Sequence, residues 1–140
     1  MQTSAASHLN PKINMQTVLH FLAGVSIGII IFQSAFVAPT VFKQLKDGAG
    51  GPFLRALFPK FFLGLSVLGL ALALSAWLSN DLPVATAGLL ALVSGVTAYL
   101  IIPATNRAKD RGHKNAFRRL HTASVLLMLV IAAANIYALF

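Results

Sequence analysis

His121, Ser124 and Asn135 fall within a sector of about 60° when their segment is wound as a helix at about 100° per residue, with Phe117 and Met128 beside them. An imidazole, a hydroxyl and an amide on one stripe can bind a polar solute. The imidazole can also ligate a metal or haem, or relay a proton. The alternative is that the stripe only packs against other helices, since polar groups in an apolar segment seek partners there. On that reading His121 does no more than cap Arg118 or a loop carbonyl. His20 is the only other histidine within an apolar segment. The chain path sets it about 20 Å or more from His121 along the helix direction, so one metal ion cannot take both. His20 reads as an interfacial residue.

A second constellation pairs prolines with cations. Pro39 is followed four residues later by Lys43, and Pro103 by Arg107. Proline withholds an amide and crowds the carbonyl four residues back, which frees a polar backbone group, while the cation lies near the negative end of the helix dipole. Two readings follow: helix ends with snorkelling anchors, or a positively lined vestibule for an anionic headgroup or solute. The candidate ligand-binding residues are therefore Lys43, Arg107, Arg118, His121 and Ser124.

Other chemistry is restricted. Asp47, Asp81 and Asp110 are the only carboxylates, and there is neither Glu nor Cys. Buried acid pairs, carboxylate cages for divalent ions, thiolate metal sites and thiol catalysis have no residues to be built from. No Ser-His-Asp arrangement, phosphate-binding Gly motif or HExxH occurs. No catalytic residue is assigned, no cofactor is expected, and an enzyme working without a cofactor is disfavoured. Haem or copper on His121 or His20 is the alternative.

The elements that must position these residues are four charge-poor stretches at about 15–42, 58–79, 82–102 and 117–139. Each holds the roughly 20 apolar residues a spanning helix needs. With 57% hydrophobic and only 10% charged residues the chain cannot cover a soluble surface, so lipid is the expected solvent. Continuous Ala-, Leu- and Gly-rich runs disfavour a β-barrel, whose signal is alternation. The fold class expected is all-α: a four-helix transmembrane bundle over 15–140 behind a polar tail at 1–14. A cleavable signal peptide is not expected, because the first apolar run is too long, a single Lys precedes it, and Pro39 follows Ala38.

A net charge of +8 would suggest nucleic acid in a soluble protein, but ten of the eleven cations flank the first and third connections and only Lys12 lies elsewhere. The positive-inside rule puts that side in the cytoplasm and both termini outside, N-out/C-out, in a bacterial inner membrane. Anionic headgroups on the cytoplasmic side are then the expected partner, and nucleic acid is not.

Shifting the chain by 64 residues pairs Gly24 with Gly88, Pro39 with Pro103, Lys43 with Arg107, Gly48 with Gly112, Phe53 with Phe117 and Arg55 with Arg119. These matches suggest two parallel-repeat helical hairpins with a groove between them. Gly24, Gly28 and Ala35 share one face of the first span, with Ser26 and Gln33 on the opposite one. Gly88, Gly95 and Tyr99 align in the third. The first and third spans are thus expected to meet along their small faces, with Gln33 left for a second contact such as a partner chain. A homodimer through Gly24 and Gly28, or a larger membrane complex, fits the same pattern.

The segments FVAPTVFK (36–43), ALFPKFF (56–62), IPATNR (102–107) and FRRLHTAS (117–124) resemble the transmembrane protein 205-like family, in bacteria the domain of unknown function 4149. The resemblance runs from about residue 18 onward. It implies a four-helix membrane protein grouped loosely with copper-resistance D-like proteins and with the membrane protoporphyrinogen oxidase that works with haem. It implies no settled activity. The motif residues by position are Pro39, Phe42, Pro59, Pro103, Arg107, Arg118, His121 and Ser124. The family's Asn shortly after that Ser is not matched, since Leu127 and Met128 stand there and Asn135 comes later. The functional expectation is an integral membrane protein that binds or passes a small solute or lipid headgroup at a polar site between its hairpins. The alternatives are a haem- or metal-binding redox protein and an accessory subunit.

Overall fold

The computed structural model describes residues 11–45 and 48–140, so Lys46, Asp47 and residues 1–10 of the expected tail lie outside the described residues. Its elements in order are α1 (Pro11–Phe32), a π-helical turn (Gln33–Val37), α2 (Ala38–Gln44), α3 (Gly50–Leu78), α4 (Leu82–Asp110) and α5 (Lys114–Tyr137). No strand occurs among the described residues. The first span runs through α1, the π turn and α2 without a break, and four spans are long and apolar enough to cross a membrane: Met15–Gln44, Gly50–Leu78, Leu82–Asp110 and Lys114–Tyr137. The molecule is an all-α bundle of four membrane-spanning helices.

The helices outlast the apolar runs that reveal them. At 29 residues each, α3 and α4 are about 43 Å long against a hydrocarbon core of roughly 30 Å. The surplus lies at the basic end, where α3 begins at Gly50 and not near Phe58, and α4 continues to Asp110 past the expected stop near Ile102. Hydropathy marks where a helix leaves lipid. The hydrogen-bond ladder goes on through Arg55, Arg107 and Lys109, which are good helix formers in water. The prolines are accommodated on the way: Pro59 and Pro103 lie inside α3 and α4. At Pro39 the ladder shifts register, and the Ala38 amide donates to the Gln33 carbonyl five residues back, forming the π turn.

The connections are short and chemically specified. Between α3 and α4, Asn80 takes φ 57°, and the Asp81 carboxylate accepts the Val84 amide hydrogen at 3.2 Å, capping α4. Between α4 and α5, Gly112 takes φ 69°, a step that lets the His113 amide reach back to the Ala108 carbonyl at 2.9 Å. Gly48 takes φ 84° in the first connection.

The four spans form a ring in which α3 packs on α4, α4 on α5, and α1 on both α3 and α5. The first and third spans are therefore diagonal neighbours, which corrects the expectation that their small faces meet. The closest approach is between α3 and α4. A Cβ added at Gly88 would lie 2.5 Å from the Ala73 amide nitrogen, and one at Gly69 would lie 2.7 Å from that of Leu92, so backbone meets backbone here. Gly95 faces Ser66 of α3 in the same seam.

Gly24 and Gly28 have nothing near them and face outward. The inward face of α1 is instead Leu19, Ala23, Ser26, Ile30 and Gln33, a stripe of alternating four- and three-residue steps, all buried. The small and polar faces of the first span are thus reversed from the sequence expectation. Small residues draw helices together only where the facing helix is also small, and that partnership is already formed between α3 and α4.

Candidate functional site

At the basic end the four spans border a partly open cavity of about 690 Å³. The π turn and α2 form one side, and the first halves of α3 and α5 with the last turns of α4 form the rest. Its deep end holds Gln33 and Ser34, with the Ser34 hydroxyl 3.9 Å from the Met128 sulfur of α5. Its walls are apolar, with Phe58 and Phe62 stacked at 6.4 Å between ring centroids and Val41, Ile102 and Val125 nearby. Towards the open end stand Arg55, Lys109, His121 and Ser124.

Gln33 is 6% exposed, and its Nε2 has no hydrogen-bond partner. A buried amide N–H left unpaired costs about 1–3 kcal/mol, and Nε2 points into the protein while the rest of the Gln33 side chain borders the cavity, so the fold leaves an unmet donor beside this space. The residues toward the open end are engaged with one another. Arg55 forms a two-pronged ion pair with Asp110, tying the start of α3 to the end of α4. Both groups are partly exposed, so this pair adds little stability. The His121 ring stacks on Phe117 at 5.7 Å, nearly parallel, and Lys109 Nζ lies 6.0 Å from the centre of the same Phe117 ring. The Ser124 hydroxyl donates to the Leu120 carbonyl at 3.1 Å and keeps its acceptor lone pairs free.

Of the residues expected from the sequence, the structure brings His121, Ser124 and Phe42 to this cavity. Lys43, Arg107 and Arg118 are exposed on the outer surface and do not line it. The cations that line the cavity are Arg55 and Lys109, and Lys43 and Arg107 of the Pro-to-cation pairs lie outside it. The cause is the helical continuation past Pro103: Lys109 lies two residues beyond Arg107, about 200° further around α4. Gln33 and Ser34 were not assigned to a site from sequence. The available signal was a polar pair six and five residues ahead of a mid-span proline.

His20 lies at the other end, where its Nε2 is 3.0 Å from Gln16 Nε2. Gln16 lines a smaller hollow of about 330 Å³ with Ser79, Asn80 and Asp81. The two histidines thus sit at opposite ends of the bundle, as the chain path required. Among the described residues no three of His, Cys, Asp or Glu come together to hold a metal ion. Asn135, the third member of the α5 stripe, is fully enclosed away from the cavity lining and donates to the Ile131 carbonyl at 2.8 Å.

These features define an integral membrane protein, a four-helix bundle with a mostly apolar cavity at its basic end. The chain belongs to the family described as Domain of unknown function (DUF4149), whose model matches residues 21–139. No curated protein and no solved structure matches it.

Proposed function

We propose that this protein binds, or passes across one leaflet, a small anionic solute or lipid headgroup at the basic-end cavity. The observation that carries the reading is Gln33, a buried side chain on the cavity wall whose Nε2 has no partner in the protein. A ligand oxygen would complete it, and Lys109 would supply the charge for an anion at the open end. Ten of eleven cations sit at this end by sequence, which supports a cavity mouth facing the cytoplasm under the positive-inside rule, with both termini on the far side of a bacterial inner membrane as part of this reading.

A duplicated hairpin, as the 64-residue offset suggests, is compatible with the ring: a pseudo-twofold along the bundle would carry the first span to the third and the second to the fourth. Gly48 and Gly112, which that repeat pairs, both take positive φ in the two basic connections. In such a repeat the glycine seam of α3 and α4 would correspond to the looser packing of the first span on α5.

Extraction in mild detergent followed by native mass spectrometry tests the binding reading. The wild-type protein should carry a co-extracted adduct of small-molecule mass, and Met128→Trp, which fills the cavity from α5, should lose it. Val125→Trp should do the same from a more exposed position. An adduct that persists in both variants, or none in the wild type under any extraction, contradicts the reading. Absorption of the same sample addresses the haem alternative, for which a Soret band lost in His121→Ala would be required.

A further inference from the structure

We propose that the cavity's occupant is a single-chain anionic amphiphile drawn from the bilayer, with its head at Lys109 and an oxygen acceptor near its inner end that takes the Gln33 amide hydrogen. This rests on the binding reading above and names the ligand class.

Three properties of the cavity select this class. The first is the spacing of its polar ends. Lys109 lies against Phe117, and Ser34, next to Gln33, lies against Met128. Phe117 and Met128 are separated along α5 by about 16 Å. The charged and the neutral polar groups therefore sit at opposite ends of an elongated space.

The second is what lies between them. Phe58, Phe62, Val41, Ile102 and Val125 offer no hydrogen bonds to the middle of the occupant. A hydrophilic solute spanning the two ends would lose its hydration without compensation, whereas an alkyl body would gain from burial. A volume of about 690 Å³ suits one chain of drug-like size and is small for a two-chain phospholipid.

The third is access and charge. α2 packs mainly on the π turn, and Phe42 of α2 and Val125 of α5, which both line the cavity, are exposed, so an occupant can enter on this side from the lipid that surrounds a spanning bundle. Arg55 is neutralised by Asp110, which leaves Lys109 as the cavity-lining cation without a carboxylate partner among the described residues. The Gln33 amide turns about a soft terminal torsion, so its Nε2 can swing from the protein side to the cavity without disturbing the helix.

The test uses the full chain in nanodiscs of zwitterionic phosphatidylcholine, incubated with equal amounts of dodecanoate and ω-hydroxydodecanoate and examined by native mass spectrometry. The ratio of hydroxylated to plain adduct should be about tenfold higher for the wild type than for Gln33→Leu, a comparison in which differences in membrane partitioning cancel. Gln33→Met, which keeps the side-chain length, should behave like Gln33→Leu. Lys109→Gln should lower both adducts by a similar factor, about tenfold. An adduct ratio that is the same in wild type and Gln33→Leu overturns the proposal. Binding of inorganic phosphate at the cavity with neither acid bound overturns it too, while leaving the binding reading of the cavity in place. Binding of none of the three rejects both.

Discussion

Gln33 Nε2 and Asn135 Oδ1 are the side-chain polar atoms buried without a partner among the described residues, and their settings differ. Asn135 uses its amide hydrogen within its own helix and is enclosed on all sides, whereas Gln33 stands on a cavity wall. A donor kept unpaired for a ligand lowers the stability of the empty protein. Gln33→Leu should therefore raise the thermal unfolding midpoint in detergent, by the equivalent of about 1 kcal/mol. An unchanged or lowered midpoint would mean that the amide already has a partner. At this scale the sequence was partly legible. That His121 and Ser124 share one face, now seen lining the cavity, could be read from their spacing, because α5 is a regular helix over that stretch. The direction of Gln33 could not, since it depends on which face of the first span turns inward, and nothing within that span decides it.

The element scale turns on the glycine seam between α3 and α4 and on the π turn ahead of Pro39. A side chain at Gly88 would meet the backbone of Ala73 and not a yielding side-chain tip, so relief requires the two helices to separate. Gly88→Val should destabilise the protein by about 1–3 kcal/mol, read as a lowered unfolding midpoint. Gly28→Val, placed in open space, should stay within about 0.5 kcal/mol of the parent. The reverse order of effects would show that the first span, and not the α3–α4 seam, provides the close contact. The existence and number of the helices were plain from hydropathy. Their lengths at the basic end were not, because Arg55, Arg107 and Lys109 look like loop residues to a hydropathy scale while being good helix formers in water. Hydropathy therefore gives no sign that Arg55 and Lys109 turn toward the cavity while Lys43 and Arg107 lie outside its lining. The π turn was equally hidden, since proline announces a disturbed ladder but not whether the chain stops, kinks or shifts register.

For the molecule as a whole, function follows from asymmetry between its ends. At one end the chain turns within a short connection through Asn80 and the Asp81 cap, beside the smaller hollow; at the other the helices outlast the apolar runs, carry nearly all the positive charge and border the larger cavity. Membrane residence and the number of crossings could be read from composition and run length alone. The cavity could not, because it arises from how the four spans pack around one another and from the register shift in the first of them. Since the chain has no cysteine, single-cysteine variants can be labelled against a silent background. The most direct test of the account is reaction of a charged, membrane-impermeant thiol reagent with Ser124→Cys and Asn80→Cys in oriented membrane vesicles. Ser124→Cys, on the cavity wall, should react only from the cytoplasmic face and be protected by Met128→Trp, while Asn80→Cys should react only from the opposite face. Reaction of both from one side, or a silent Ser124→Cys beside a reactive Lys114→Cys, would contradict a bundle that spans the membrane with its cavity open to the basic side.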